Sequence, residues 1–311
     1  MPADLSLTIG DHRKQELRLR NPVLTASGTF SNGIEFARRF DLDALGGLIS
    51  KGTTLRPRRG NPQTRTAETP AGMINSIGFQ NIGVGALVRD VAPIWARWDV
   101  PVVVNIMGET VREYGMLAER LDGVPGVAGL EVNVSCPNVE SGGMEFGQDC
   151  DLTAEVTAEV RRSTSLPFAV KLTPAVVDVR PFVEAVERAG GDAVSLINSV
   201  PAMAIDIERR RPTIATVFGG LSGPAIKPIA LRAVYLAAST SDLPIIAAGG
   251  VSSGRDAVEF LMAGASAVQV GTATFRDPQT PWRVLDELRA WCEAEGVHTL
   301  QEIVGVARRR D

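Results

Sequence analysis

Asn133-Val134-Ser135-Cys136-Pro137-Asn138 sets a thiol between two carboxamides, directly after the apolar run Leu130-Glu131-Val132. A carboxamide both donates and accepts hydrogen bonds, so Asn133 and Asn138 can fix the orientation of a planar polar ligand. Cys136 between them can act as a nucleophile or proton acceptor through its thiolate. Packing as a small buried apolar residue is the competing reading of the same thiol. Lys51 and Lys171 each close another short apolar run. Both are expected to be buried, where they would suit a bound ring that gains negative charge on reduction. Gly249-Gly250 and Gly271-Thr272 end two further runs, and Gly219-Gly220-Leu221-Ser222-Gly223 adds a third flexible segment. Backbone N–H groups without side chains can approach a phosphate closely. There is no GxGxxG, since Gly83-Val84-Gly85 lacks the third glycine. The phosphate is therefore expected to belong to a mononucleotide, and FMN meets both requirements.

These residues need elements to hold them. Short apolar, β-rich runs recur at residues 22–26, 47–50, 102–105, 130–135, 168–172, 193–197, 245–248 and 267–270. Their continuous apolar character is that of parallel strands covered on both faces. Helical periodicity fills several gaps: Phe182, Val183, Val186 and Ala189 share one face, and Ala257, Val258, Leu261 and Met262 share another behind the cap candidates Ser252 and Ser253. Eight strand–helix units predict a (β/α)8 barrel, with a doubly wound sheet as the alternative. Residues 5–9 and 16–20 predict an N-terminal β-hairpin. Two connections, after strands 2 and 6, are too long for ordinary loops and read as lids or binding elements. Under this reading Ala26-Ser27-Gly28, Ser50-Lys51, Asn105, Asn133, Lys171, Asn198-Ser199, Gly249-Gly250 and Gly271-Thr272 gather at one end of the barrel. That is the end where such barrels place catalysis.

Composition narrows the classes further. The 311 residues are 44% hydrophobic and show no compositional break, so a single domain over residues 1–311 is expected. A net charge of −4 gives no general attraction to nucleic acid, and Arg56-Pro57-Arg58-Arg59 and Arg308-Arg309-Arg310 read as solvated surface. No apolar stretch has the length of a membrane helix, and the first residues lack a signal-peptide layout. A soluble, cytoplasmic protein is expected. Three cysteines without a CxxC exclude a four-cysteine zinc or iron–sulfur site within the chain, and no metal is expected on it. His12 and His298 read as surface residues, Cys150 and Cys292 as packing residues.

The motifs together resemble class 1 dihydroorotate dehydrogenases, most of all the catalytic subunit of class 1B. The matching segments include Asn21-Pro22 with Ala26-Ser27-Gly28, Lys51-Gly52-Thr53-Thr54, and Gly60-Asn61-Pro62. Asn75-Ser76-Ile77-Gly78-Phe79-Gln80-Asn81, Asn133 to Asn138 and Val170-Lys171-Leu172 follow in order, and then Gly219 to Pro228, Gly249-Gly250-Val251 and Met262 to Ala267. The resemblance implies oxidation of (S)-dihydroorotate to orotate in pyrimidine biosynthesis on one bound FMN. Cys136 would be the base that takes the C5 proton while C6 gives up hydride. Lys51, Asn75, Asn133, Asn198 and Ser199 would hold the substrate, with backbone groups of Ile77, Gly78 and Phe79 on its carboxylate. Ala26, Ser27, Lys51, Asn105, Asn133 and Lys171 would surround the flavin, and Gly223, Gly249, Gly250, Gly271 and Thr272 its phosphate.

The segment Ser141 to Gly147 carries the resemblance to class 1B. That subclass implies a homodimer flanked by a partner subunit, a heterotetramer in which the partner carries FAD and a [2Fe–2S] cluster and passes electrons to NAD⁺. A fumarate-dependent 1A enzyme, a dihydropyrimidine dehydrogenase-like subunit and a flavin-binding scaffold without turnover are the alternatives. Residues 200–203 and Arg209-Arg210-Arg211 depart from the pattern and leave the lid details open.

Overall fold

In the computed structural model, residues 3–10, 15–135 and 145–308 are described. Two short strands, β1 (Leu7–Ile9) and β2 (Leu17–Leu19), pair antiparallel with Leu7 opposite Leu19. Next come β3 (Val23–Thr25) and β4 (Leu48–Ile49). A hairpin of β5 (Thr66–Thr69) and β6 (Gly72–Asn75) leads on to β7 (Val102–Ile106), β8 (Gly129–Asn133), β9 (Phe168–Lys171) and β10 (Ala193–Leu196). The strands β4-β7-β8-β9-β10-β15-β16-β3 lie side by side and parallel, where β15 is Ile245–Ala248 and β16 is Ala267–Val270. A parallel bridge between Leu24 and Gly47, with Thr25 N donating to Gly47 O at 3.2 Å, joins β3 to the start of β4. The sheet thereby closes into a (β/α)8 barrel. All eight expected barrel strands are present, with ends shifted by a residue or two as hydrogen bonding trims them.

Helices cover the outside because their apolar faces have nowhere else to go. Val111–Leu121 buries Tyr114, Leu117, Ala118 and Leu121, and its cap Thr110 accepts from Glu113 N. Arg180–Arg188 buries Phe182, Val183 and Val186, while Ala189 falls just past its end. Gly254–Ala263 starts with a reciprocal capping box between Ser253 and Asp256. The helix Val84–Ala86 passes through a π-turn at Leu87–Val91 into Ala92–Trp95. No described helix is long and apolar enough to cross a membrane.

The interior changes character along the barrel axis. At the N-terminal end, Leu24, Ile49, Val103, Ala169, Ala193, Ile246 and Ala267 pack with Ile9, Leu17 and Leu19 of the hairpin. One step further along the strands, two residues on in each, stand Asn105, Lys171, Ser195 and Gln269. Period-two alternation makes the second set face inward like the first.

The two long connections join each other. The second carries β11 (Val200–Ala202), β12 (Ile205–Asp206), β13 (Arg211–Pro212) and β14 (Gly219–Ser222). β14 pairs antiparallel with β6, Gly220 opposite Asn75, in a four-stranded sheet β11-β14-β6-β5. Ala67, Ile74 and Ile214 form its small apolar core. The Arg209-Arg210-Arg211 run sits at the tip of the β12–β13 ladder, with Arg211 opposite Asp206.

Candidate active site

The polar layer inside the barrel is built around Glu131, in the middle of β8 and 1% exposed. Its Oε1 accepts from Asn105 Nδ2 at 2.7 Å and lies 3.4 Å from Lys171 Nζ. Its Oε2 accepts from Gln269 Nε2 at 2.6 Å and Ser195 Oγ at 2.9 Å. Partners from four other strands can meet one carboxylate only across the barrel interior. Burial would push the Glu131 carboxyl up. The Lys171 ammonium and the bonds from Gln269, Asn105 and Ser195 outweigh it and hold the group below the usual carboxylate range. Lys171 Nζ also faces Ser27 Oγ at 3.4 Å and Gln269 Oε1 at 3.5 Å.

Above this layer the asparagines converge. Asn198 Nδ2 donates to Asn133 Oδ1 at 3.1 Å, and Asn133 Oδ1 also accepts from Ser135 N. Asn198 Oδ1 in turn accepts from Ser199 N at 2.8 Å. Asn75 arrives from the other long connection, its Nδ2 donating to Gly220 O at 3.3 Å. A Cβ on Gly220 would fall 1.9 Å from Ser199 Oγ, so Ser199 and Asn75 flank the same glycine.

The loop after β6 is held from below. Asn61 N donates to Ile77 O at 3.0 Å, and Asn61 Nδ2 to Ser76 Oγ at 2.8 Å. Asn81 Oδ1 accepts from Gly83 N at 2.7 Å while its Nδ2 donates to Thr54 Oγ1 at 2.8 Å. Phe79 sits at φ 54, in left-handed backbone that a bulky residue adopts only where its surroundings impose it. Lys51, at the rim, is half-buried rather than buried as expected: Ser50 N still bonds Val103 O of β7, but Lys51 N turns away to Ser31 O. Burial, with Arg65 nearby, lowers the Lys51 ammonium from the ordinary lysine value.

Further along the rim three glycine segments close on one spot. Gly223 (φ 95) and Gly250 (φ 80) have backbone that disfavours any side chain, and a Cβ on Gly250 would lie 3.0 Å from Gly223 O. Thr272 Oγ1 donates to Ser222 Oγ at 2.8 Å, and Gly271 lies against Ala26. A glycine-rich cradle with two hydroxyls, next to a polar layer that contains a buried lysine, has the chemistry that a flavin mononucleotide would need.

Residues 12–291 match the family described as dihydroorotate dehydrogenase. The catalytic subunit of dihydroorotate dehydrogenase B (NAD(+)) from Desulforudis audaxviator is 54% identical over 293 residues, 94% of this chain and 95% of that one. The subunit of the same name from Geotalea daltonii is 49% identical over 305 residues, 98% of each chain. The chain belongs to the dihydroorotate dehydrogenase family. Its fold superposes on the DHODH of Eimeria tenella, solved in complex with ferulenol, with a TM-score of 0.80 at 22% identity, over 99% of this chain and 89% of that one.

The expected site residues that the structure describes lie in several clusters. Asn133, Asn198, Ser199 and Asn75 come together at the rim. Asn105, Lys171 and Ser27 meet in the layer beneath. Ile77, Gly78 and Phe79 lie on the pinned loop beside Asn61. Gly249 is at φ 131 against Ala230 and Ile197. Cys136, Pro137, Asn138 and residues 141–144 lie outside the described residues, as does His12. His298 is exposed and Cys292 buried, and Cys150 is partly buried at the start of a helix.

Sequence reasoning missed Glu131, Ser195 and Gln269. Glu131 reads as one polar interruption in an apolar run. Its two-residue spacing from Asn133 was the available signal, since it puts both side chains on one face of β8.

Proposed function

We propose that this chain is the catalytic subunit of an NAD⁺-linked, B-type dihydroorotate dehydrogenase, which oxidises (S)-dihydroorotate to orotate in cytoplasmic pyrimidine biosynthesis. The observation that carries this reading is the meeting of Asn133 and Asn198 at the rim, directly beyond the layer that holds Lys171. A flat ligand with amide edges finds donors and acceptors from both carboxamides there. Asn75 and Ser199 would hold its far side, and backbone groups at Ile77, Gly78 and Phe79 its carboxylate.

FMN, when bound, supplies the two-electron acceptor for the substrate's hydride. Asn105, Lys171, Ser27 and Ala26 would hold its ring system, and Gly223, Gly249, Gly250, Gly271 and Thr272 its phosphate. Lys51 would present positive charge between ring and substrate. Cys136 would take the C5 proton, which an adjacent carbonyl makes removable. The relatives' names, each a catalytic subunit, support a partner chain. In this reading the partner carries FAD and a [2Fe–2S] cluster and the assembly is a heterotetramer around a homodimer.

The test is to purify the chain, add dihydroorotate without oxygen and follow the flavin absorbance. Bleaching, then reoxidation by NAD⁺ only once the partner is supplied, is the expected result. Reoxidation by fumarate instead would place the chain among 1A enzymes, and no bleaching would remove the substrate. Cys136→Ser should keep its flavin and lose most turnover near neutral pH, whereas a scaffold would lose nothing.

A further inference from the structure

Glu131 has no part in the chemistry just described, yet it is the most heavily engaged side chain inside the barrel. Removing a carboxylate from water carries a solvation cost that its partners must offset. A neutral residue could have bridged Asn105, Ser195 and Gln269, so the charge itself calls for a role. The distances indicate one. Both amides bind Glu131 tightly, at 2.6 and 2.7 Å, whereas the Lys171 ammonium stands back at 3.4 Å. Lys171 Nζ is therefore spaced almost equally from Glu131, Gln269 and Ser27 oxygens, at 3.4, 3.5 and 3.4 Å. None of these is a short charge-assisted bond. A cation in such a loose ring can still take a stronger acceptor from the rim side.

We propose that Glu131 is a positioning residue of the flavin site, which anchors Asn105 and sets how much of Lys171's positive charge reaches the flavin ring. The inference rests on the FMN reading above. A carboxylate this close cancels much of the ammonium's field at the distance of a ring beyond it. Reduction adds electron density to the ring, so a less compensated Lys171 makes reduction easier.

The experiment is the midpoint potential of the bound flavin in purified holoenzyme. Glu131→Gln should raise it by at least a tenfold change in the two-electron equilibrium, about 30 mV. Lys171→Met should lower it; without that ammonium the buried Glu131 takes up a proton, so adding Glu131→Gln to Lys171→Met should then shift it less than threefold. A Glu131→Gln enzyme with full flavin and an unchanged potential overturns the inference, and so does a shift that persists without Lys171. Should Glu131→Gln fail to fold, Ser195→Ala keeps the charge and withdraws one donor from it. That variant should lower the potential only while Lys171 is present, and an unmoved potential overturns the inference equally. A wild-type chain that binds no flavin would instead bring down the functional reading on which it rests.

Discussion

The Tyr114 hydroxyl donates to the main-chain carbonyl of Asn133 at 2.7 Å, so a helix on the outside of the barrel holds the strand end that leads into the site. Tyr114 is fully buried and meets Phe146 edge-on at 5.4 Å. Tyr114→Phe would leave the carbonyl short of a donor at almost no change in volume. A loss of about 1–3 kcal/mol in urea unfolding is expected. An unchanged midpoint would mean that water replaces the hydroxyl.

Asn198 connects Asn133 to Ser199. Asn198→Ala removes a proposed ligand contact and the acceptor of Ser199 N. Binding of orotate should weaken by about 10–100-fold, the equivalent of one or two hydrogen bonds to a polar ligand. Flavin content should stay at the wild-type level, read from the absorbance ratio of the purified enzyme.

Two glycines predict opposite outcomes for the same change. Gly250 has φ 80, and an added Cβ would lie 2.8 Å from Lys227 Cβ, so Gly250→Ala should cost at least ~1–2 kcal/mol and weaken FMN binding. Gly85 lies on an exposed helical turn with nothing within 4 Å, and Gly85→Ala should stabilise by about 0.5–1 kcal/mol. Paired thermal melts and flavin titrations of the two variants distinguish local strain at the cradle from a general tolerance of alanine.

Asp256 caps the helix after β15 and binds Lys227 Nζ at 2.7 Å. Burial works to raise its carboxyl, but Lys227 and the donors from Ser252 and Ser253 prevail and hold it below 3.8. A folded value below the unfolded one stabilises the fold above about pH 4, and the contribution fades as pH falls through the folded value. Asp256→Asn should cost ~1 kcal/mol at pH 7, because Asn keeps a cap acceptor but loses the negative charge that faces Lys227 and the Ser252 and Ser253 donors. In denaturation series at several pH values, the gap to wild type should narrow below pH 4. A constant gap would exclude the charge as its source.

The barrel was legible because its signals are local. Each strand is a short apolar run, and Asn105, Asn133, Lys171 and Asn198 stand where those runs stop. Glu131 was not legible, because its meaning lies in Gln269 and Ser195, which join it only once the sheet has closed. The pairing of Asn75 with Gly220 is equally non-local: two loops 145 residues apart make one ladder, and no alternation within either announces it. Lys51 is expected to be buried because it closes an apolar run, yet it is half-buried. Ser50 N still bonds Val103 O, but Lys51 N turns away to Ser31 O and the lysine emerges at the edge.

The hairpin of Leu7–Ile9 and Leu17–Leu19 seals the far end with side chains, so the barrel is a cup and not a pipe. Among the described residues, whatever reacts beside Asn133 is barred from the hairpin end and must reach it from the rim. The hairpin core leaves no path to the polar layer from behind. Exchange of bound molecules is thus directed to the Asn133 end by architecture before any chemistry begins.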